Sequence, residues 1–296
     1  MPAFLIGLGA TKAGTSWLYD HLAGHPECHF RTVKELHYFS MTEPEHFDRA
    51  RVETEKAIAA VIARQAADQP NPKPYLARRL VDLSSWCDVL ARRKIDVAAY
   101  RTYLTDMAGD ARLVGEVTPA YALLPKDRLK HMTTVAARMK FVYLIRDPVA
   151  RLWSHVRMIA ARADDEAGFA TAAVDGLTRI LSGDLSGEAK GIVLRGDYAR
   201  IIPRLKQAFR AETLWIQCQE DLLTVQGNHQ LAGFLELTPT PQGLGRRVHQ
   251  GRNLDLPEDL AVKARVFLQP QYDYVASILP NLPDAWRKTL AEGDVR

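Results

Sequence analysis

Apolar positions follow two rhythms along the chain. Phe4, Leu5, Ile6 and Leu8 form a short apolar run, and residues 141–145 form another. Such runs read as buried strands of a parallel sheet. Residues 28–33, the start of the segment 111–121 and residues 213–217 predict further short strands. Between them the spacing turns helical. Trp17, Leu18 and Leu22 share one helix face. Phe47, Val52, Ala57, Ile58, Val61 and Ile62 predict one or two helices over 43–67. Residues 84–107 read as helical through Trp86, Val89, Leu90, Tyr100, Tyr103 and Leu104. Helices are also expected over 169–181, from Tyr198 to Phe209 despite Pro203, before residues 234–237, and as a final element over 257–279. Strands alternating with helices predict the α/β fold class, with a central, mostly parallel β-sheet flanked by helices on both faces. The proline-rich stretch from Asp68 to Pro74 reads as a loop.

Length and composition narrow the class. The 296 residues suit one large α/β domain, and no clear linker divides 1–296. The chain is 47% hydrophobic and 25% charged, as a soluble globular domain is. Net charge is only +4, which fits an anionic ligand. No dense Lys/Arg block interleaved with aromatics predicts a nucleic-acid partner. Cys28, Cys87 and Cys218 are few, odd in number and far apart. That argues against a disulfide framework and for a reducing compartment. No signal-peptide pattern or apolar run of membrane-spanning length is seen, so a cytoplasmic enzyme is expected. His21, His25 and His29 recur every four residues. Pro26 pushes His25 out of the helical region, so this is a helix end and turn, and no metal is expected.

The chemistry concentrates in the first forty residues. Gly7, Gly9 and Gly14 let the chain turn between the first strand and helix and approach a ligand closely. Thr15 or Ser16 can cap that helix. A glycine-rich loop feeding a helix N-terminus is an anion site, because free N–H groups and the helix dipole both favour negative charge. Gly9 and Gly14 have the spacing of a nucleotide-hydrolysing phosphate loop. Thr15, however, follows Gly14 where such a loop has lysine, and the cation sits earlier, at Lys12. Downstream comes Lys34-Glu35-Leu36-His37-Tyr38-Phe39. In extended conformation Glu35 and His37 would face one side, where a carboxylate and an imidazole can serve proton transfer.

A second anion signal lies at the end of the 141–145 strand. Arg146 stands at the strand tip, Pro148 opens the next helix, and Ser154 follows two helical turns on. An arginine fork and a hydroxyl can grip a phosphate together. The bland reading is an ion pair between Arg146 and Asp147, with Arg151 pairing to nearby acids.

The pattern Thr11-Lys12-Ala13-Gly14-Thr15-Ser16 resembles the 5′-phosphosulfate loop of sulfotransferases that use 3′-phosphoadenosine 5′-phosphosulfate (PAPS). Lys34 to Phe39 is similar to the segment carrying the catalytic glutamate in glycan-type members. Glu116-Val117-Thr118-Pro119 resembles a further segment in which relatives have lysine where Val117 stands. Arg146 to Ser154 resembles the 3′-phosphate motif, and Gly251-Arg252 the loop that closes over it. The resemblance implies one sulfotransferase domain over 1–296, with acceptor-wall or lid insertions near 68–75 and 164–192. It implies PAPS as co-substrate, held by Thr11, Lys12, Ala13, Gly14, Thr15, Ser16, Arg146, Ser154, Gly251 and Arg252, with no metal. Lys12, Glu35 and His37 would be catalytic, with Glu35 as base and His37 positioning it or serving instead. The acceptor would be a hydroxyl or amine of a carbohydrate, lipid or small metabolite. The alternative is a small-molecule kinase or NTPase, which would need Mg²⁺ and ATP.

Overall fold

The computed structural model describes residues 1–68, 73–163, 165–240, 251–279 and 281–291. Residues 69–72 of the expected 68–75 loop, and residue 164, lie outside them. The chain order is β1 (Ala3–Gly9), α1 (Thr15–Ala23), β2 (Cys28–Phe30), α2 (Pro44–Ala67), α3 (Pro74–Leu90), α4 (Val97–Thr105), β3 (Leu113–Val117), α5 (Lys126–Met132) and β4 (Met139–Ile145). Then come α6 (Pro148–Ala160), α7 (Glu166–Leu181), α8 (Glu188–Leu194), α9 (Tyr198–Ala208), β5 (Leu214–Cys218), α10 (Gln219–Leu222), α11 (Val225–Leu235), α12 (Glu258–Ile278) and α13 (Asp284–Ala291).

The five strands pair in the order β2-β3-β1-β4-β5, every pair parallel. All of β1 is buried, and β4 nearly so, which explains why both read as unbroken apolar runs. From β1 the chain first builds the β3–β2 side and then crosses to β4 and β5. The C-terminal ends of β1 and β4 therefore flank a switch point, where open α/β sheets bind ligands.

Several boundaries differ from the sequence reading. The second strand ends at Phe30, because the chain beyond it turns to meet α3. The helical region 84–107 is the end of α3 and all of α4, separated by 91–96. The helix over 258–278 is followed by α13, whose Trp286 is fully buried against Tyr272. Asp147 does not pair with Arg146. Its carboxylate caps α6 by accepting from the Ala150 N–H, and it accepts a 2.7 Å bond from the Tyr272 hydroxyl. Helices α2 and α3 form a hairpin with its own small core of Val61, Leu76 and Leu83.

Candidate active site

The loop between β1 and α1 is closed by its own backbone. The Ala10 N–H donates to Leu144 O at 2.6 Å, and the Ala13 N–H to Ala10 O at 3.1 Å. Gly14, not Thr15 or Ser16, is the N-cap of α1, at φ 87°. A side chain there would be strained and would press on Gln219, about one carbon contact away at 3.0 Å. No side chain caps α1, so its first-turn N–H groups remain available to an anion. Lys12 also takes a left-handed conformation, φ 71°, at the crest of the loop. Its carbonyl accepts a 3.3 Å bond from Arg146 Nη1, which ties the loop to the tip of β4. The Arg146 backbone is fixed in turn by the Tyr198 hydroxyl, which accepts from its N–H and donates to its carbonyl at 2.8 Å.

Cations crowd this point. Burial, then the charges of Arg146, Arg157 and Lys34, push the Lys12 ammonium below the usual lysine range. Burial lowers Lys34 as well, and burial with Arg146 lowers Arg157. Among the described residues, no carboxylate lies within ion-pair distance of Lys12, Arg146 or Arg157. The arrangement is a concentration of positive charge awaiting a polyanion.

The segment from Lys34 to Phe39 closes one side. Lys34 Nζ donates to Ser16 Oγ at 2.7 Å and lies over the Tyr19 ring. Glu35 and His37 are not extended: both are left-handed, at φ 57° and 53°. Their side chains nevertheless meet, His37 Nε2 standing 3.8 Å from Glu35 Oε2, an ion-pair separation too long for a hydrogen bond. The reason is Glu116, which is buried on β3. Its carboxylate accepts from Tyr100 Oη at 2.6 Å, Tyr121 Oη at 2.8 Å, Thr118 Oγ1 at 2.6 Å and the Leu36 N–H at 3.3 Å. Leu36, Tyr38 and Phe39 are drawn into the core, so Glu35 and His37 are left facing outward. His37, then Lys34 and Arg195, hold the Glu35 carboxyl below its usual range, against its partial burial. Glu35 is thus ionised at neutral pH.

The model of the Sulfotransferase family matches residues 2–183, more than half the chain. The chain belongs to the sulfotransferase family. Two solved structures share its fold. The sulfotransferase from Alicyclobacillus acidocaldarius aligns over 97% of this chain and 99% of its own, with TM-score 0.61 and 19% identity. The sulfotransferase domain from the curacin biosynthetic pathway aligns over 99% of this chain and 97% of its own, with TM-score 0.52 and 16% identity. No curated protein matches in sequence.

In this sulfotransferase, Thr11 to Ser16 and Arg146 meet at the ends of β1 and β4, and Ser154 lies on α6, which leaves from the same point. Gly251 and Arg252 fall outside the family match. The Arg252 guanidinium donates to the Ala163 and Asp165 carbonyls at 3.1 Å each and lies over Phe169. It is engaged with the turn between α6 and α7, whereas the sequence reading expected it on a ligand. Arg151 pairs with no acid. It is buried, with Nη2 donating to Ile192 O at 3.0 Å and Nη1 lying 3.3 Å from His155 Nδ1. Burial and the charges of Arg151, Arg195 and Lys12 push His155 down to about 3, so it is a neutral partner.

Sequence reasoning did not single out Lys34, Glu116, Arg157 or Arg195. Lys34 had a signal, its place directly before Glu35. Arg157 had another, its position one helical turn beyond Ser154. Glu116 lies 80 residues from Leu36, and nothing local marks it as the residue that shapes the strip.

Among the described residues, no group of three His, Cys, Asp or Glu side chains could hold a metal ion, and no helix is long and apolar enough to cross a membrane.

Proposed function

We propose that this sulfotransferase moves a sulfuryl group from PAPS to a hydroxyl or amine of an acceptor. The observation that carries this reading is the meeting of Lys12, Lys34, Arg146 and Arg157 around an uncapped helix N-terminus, with ionised Glu35 beside them. The donor fits that charge pattern, since it brings a 3′-phosphate and a 5′-phosphosulfate to cations of which, among the described residues, Lys12, Arg146 and Arg157 have no carboxylate within ion-pair distance. It supplies the sulfuryl group and takes away the electrons of the broken bond to phosphate oxygen. The N–H groups of residues 11–16 hold its 5′ end, and Arg146 and Ser154 hold its 3′-phosphate. Lys12 neutralises the charge that grows on the leaving oxygen, an effect worth several kcal/mol when preorganised. Glu35 accepts the proton of the attacking group. His37, 3.8 Å away, positions that carboxylate or serves as the alternative base. These cations compensate the charge without calling on a metal.

The acceptor class stays as broad as the site is open: a carbohydrate, a lipid or a small metabolite. Arg195, whose charge acts on Glu35, supports an acceptor wall on this side, and the rest of that wall is assigned to the segment that carries α7 and α8. Three unpaired cysteines fit a cytoplasmic setting.

The test is sulfate-labelled PAPS offered with a panel of hydroxyl and amine acceptors, followed by mass detection of product and of released 3′-phosphoadenosine 5′-phosphate. Lys12→Ala and Glu35→Gln are each expected to slow transfer by about a hundredfold to ten-thousandfold. Near wild-type transfer in both variants would rule the reading out, as would Mg²⁺-dependent turnover of ATP in place of PAPS.

A further inference from the structure

The loop arginine expected on the donor's 3′-phosphate is engaged elsewhere, and the charge of a different arginine, Arg157, acts on both Lys12 and Arg146. Arg157 lies on α6, three residues after Ser154 and therefore on the same helix face. Its Nη1 donates to the Arg252 carbonyl at 3.2 Å and lies 3.5 Å from Asn253 Oδ1. Among the described residues its Nε is buried without a hydrogen-bond partner. An unpaired buried donor on a charged group is costly, and a bound anion is one thing that would satisfy it. No carboxylate among the described residues lies within ion-pair distance of Arg157; the Arg146 charge acts on it, and Asp255 only partly offsets burial and that charge. The guanidinium also lies over Trp153, whose indole N–H donates to Leu254 O. Helix α6 thus holds the chain at 252–254 through two side chains one turn apart.

We infer that Arg157 is the second cation on the 3′-phosphate beside Arg146, and that the Arg252 carbonyl and the Asn253 side chain hold and present it. The inference rests on PAPS as donor. Arg252 serves by its carbonyl, which orients Arg157, while its own guanidinium braces the α6–α7 turn. The charge-carrying position lies on the helix, which packs against α7, α8 and α12.

Calorimetric titration with two ligands reads this directly: 3′-phosphoadenosine 5′-phosphate, and adenosine 5′-phosphate, which lacks only the 3′ group. The quantity is the ratio of their affinities in wild type, Arg157→Gln and Arg252→Ala. Arg157→Gln is expected to weaken the bisphosphate by about tenfold to a hundredfold, as loss of a charge-assisted bond does, and to leave the monophosphate within about twofold. Arg252→Ala is expected to preserve the ratio. Equal losses on both ligands would make Arg157 a mere loop anchor and overturn the inference. So would a ratio erased by Arg252→Ala and kept by Arg157→Gln. If Arg157→Gln does not fold, Arg157→Met keeps the length of the stem and removes the charge, and an unchanged ratio there sinks the inference equally. Wild type that binds neither ligand would instead remove the PAPS reading itself, and this inference with it.

Discussion

The two halves of the candidate site are built in opposite ways. The proposed donor half is local: a strand, a loop and a helix contiguous in sequence, closed through the Ala10, Lys12 and Ala13 backbone, with Gly14 at the start of the helix. The proposed acceptor half, residues 34–39, has little structure of its own beyond the short turn that starts at Tyr38. Glu116 on β3 holds it from outside, and α3 holds the chain that leads into it at 30–32. Arg31 is buried with Asp82 at 2.7 Å, and the Thr32 N–H and Oγ1 both donate to the same Asp82 carboxylate at 2.7 Å. Arg78 and Arg79 add bonds to the Phe30 and Thr32 carbonyls. A local motif keeps its shape wherever its strand and helix form. A suspended strip keeps its shape only while its distant anchors do, so it can be re-aimed toward a new acceptor without disturbing the donor loop.

Cutting an anchor should have the largest effect. Asp82→Ala leaves Arg31 buried with the half-exposed Asp106 at 2.9 Å as its remaining carboxylate, beside the Tyr103 carbonyl at 2.7 Å. Removing one partner of such a pair costs about 3–5 kcal/mol. Chemical denaturation should read that loss. At temperatures where the variant is still folded, transfer should fall while affinity for 3′-phosphoadenosine 5′-phosphate stays near wild type. An equal loss of donor affinity would mean that the two halves are one rigid unit, and the contrast would fail.

The same contrast explains what could be read from the residues alone. The donor loop was legible because its chemistry is written in consecutive letters: glycines where the chain must turn, and a lysine displaced from the nucleotide-hydrolysing position. Arg146 was legible as the end of an apolar run. Glu35 and His37 were picked as a pair on the premise of an extended chain, and the premise does not hold. They meet because Glu116 pulls Leu36 inward, a contact across 80 residues. The Thr32–Asp82 bonds cross 50 residues. Such distances leave no periodic trace. Arg252 shows the converse case. A basic residue after glycine looks like a ligand, but only the fold reveals that its guanidinium is engaged by Ala163 and Asp165.

A gentler cut is Glu116→Gln, which keeps the volume and removes the charge. Two tyrosine hydroxyls and a threonine hydroxyl lose part of their acceptor, at a cost of about 1–3 kcal/mol. The sign of the pH dependence is specific. Burial raises the Glu116 pKa above 4.5 in the folded chain, against its hydrogen bonds. The unfolded chain therefore gives up that proton first as pH climbs. The wild type should lose stability through the interval above 4.5, and Glu116→Gln should lack that part of the decline. Thermal melts across pH 4 to 7, taken as wild type minus variant, measure it. A difference that does not change with pH would mean that Glu116 titrates normally and that the strip hangs on something else.

The smallest effect expected, and the sharpest on the comparison, concerns Lys34, which touches both halves. It donates to Ser16 Oγ on the donor side and adjoins Glu35 on the acceptor side. In the free enzyme, kcat/KM for the donor should fall on the alkaline side as Lys12 loses its proton, below the ordinary lysine value of 10.5 because burial and neighbouring cations depress it. It should fall on the acid side as Glu35 gains one, below the ordinary carboxylate value of 4.5. Lys34→Met removes a positive charge from both groups. Lys12 then holds its proton to higher pH and Glu35 takes one at higher pH, so both limbs should move upward. Arg146→Gln should move the alkaline limb alone, since Arg146 acts on Lys12 and is not among the charges holding Glu35 down. Because both groups are partly open to solvent, the displacements should shrink as salt is added. If Lys34→Met shifted only one limb, the lysine would belong to that half, and the seam between the two would have to lie at another residue.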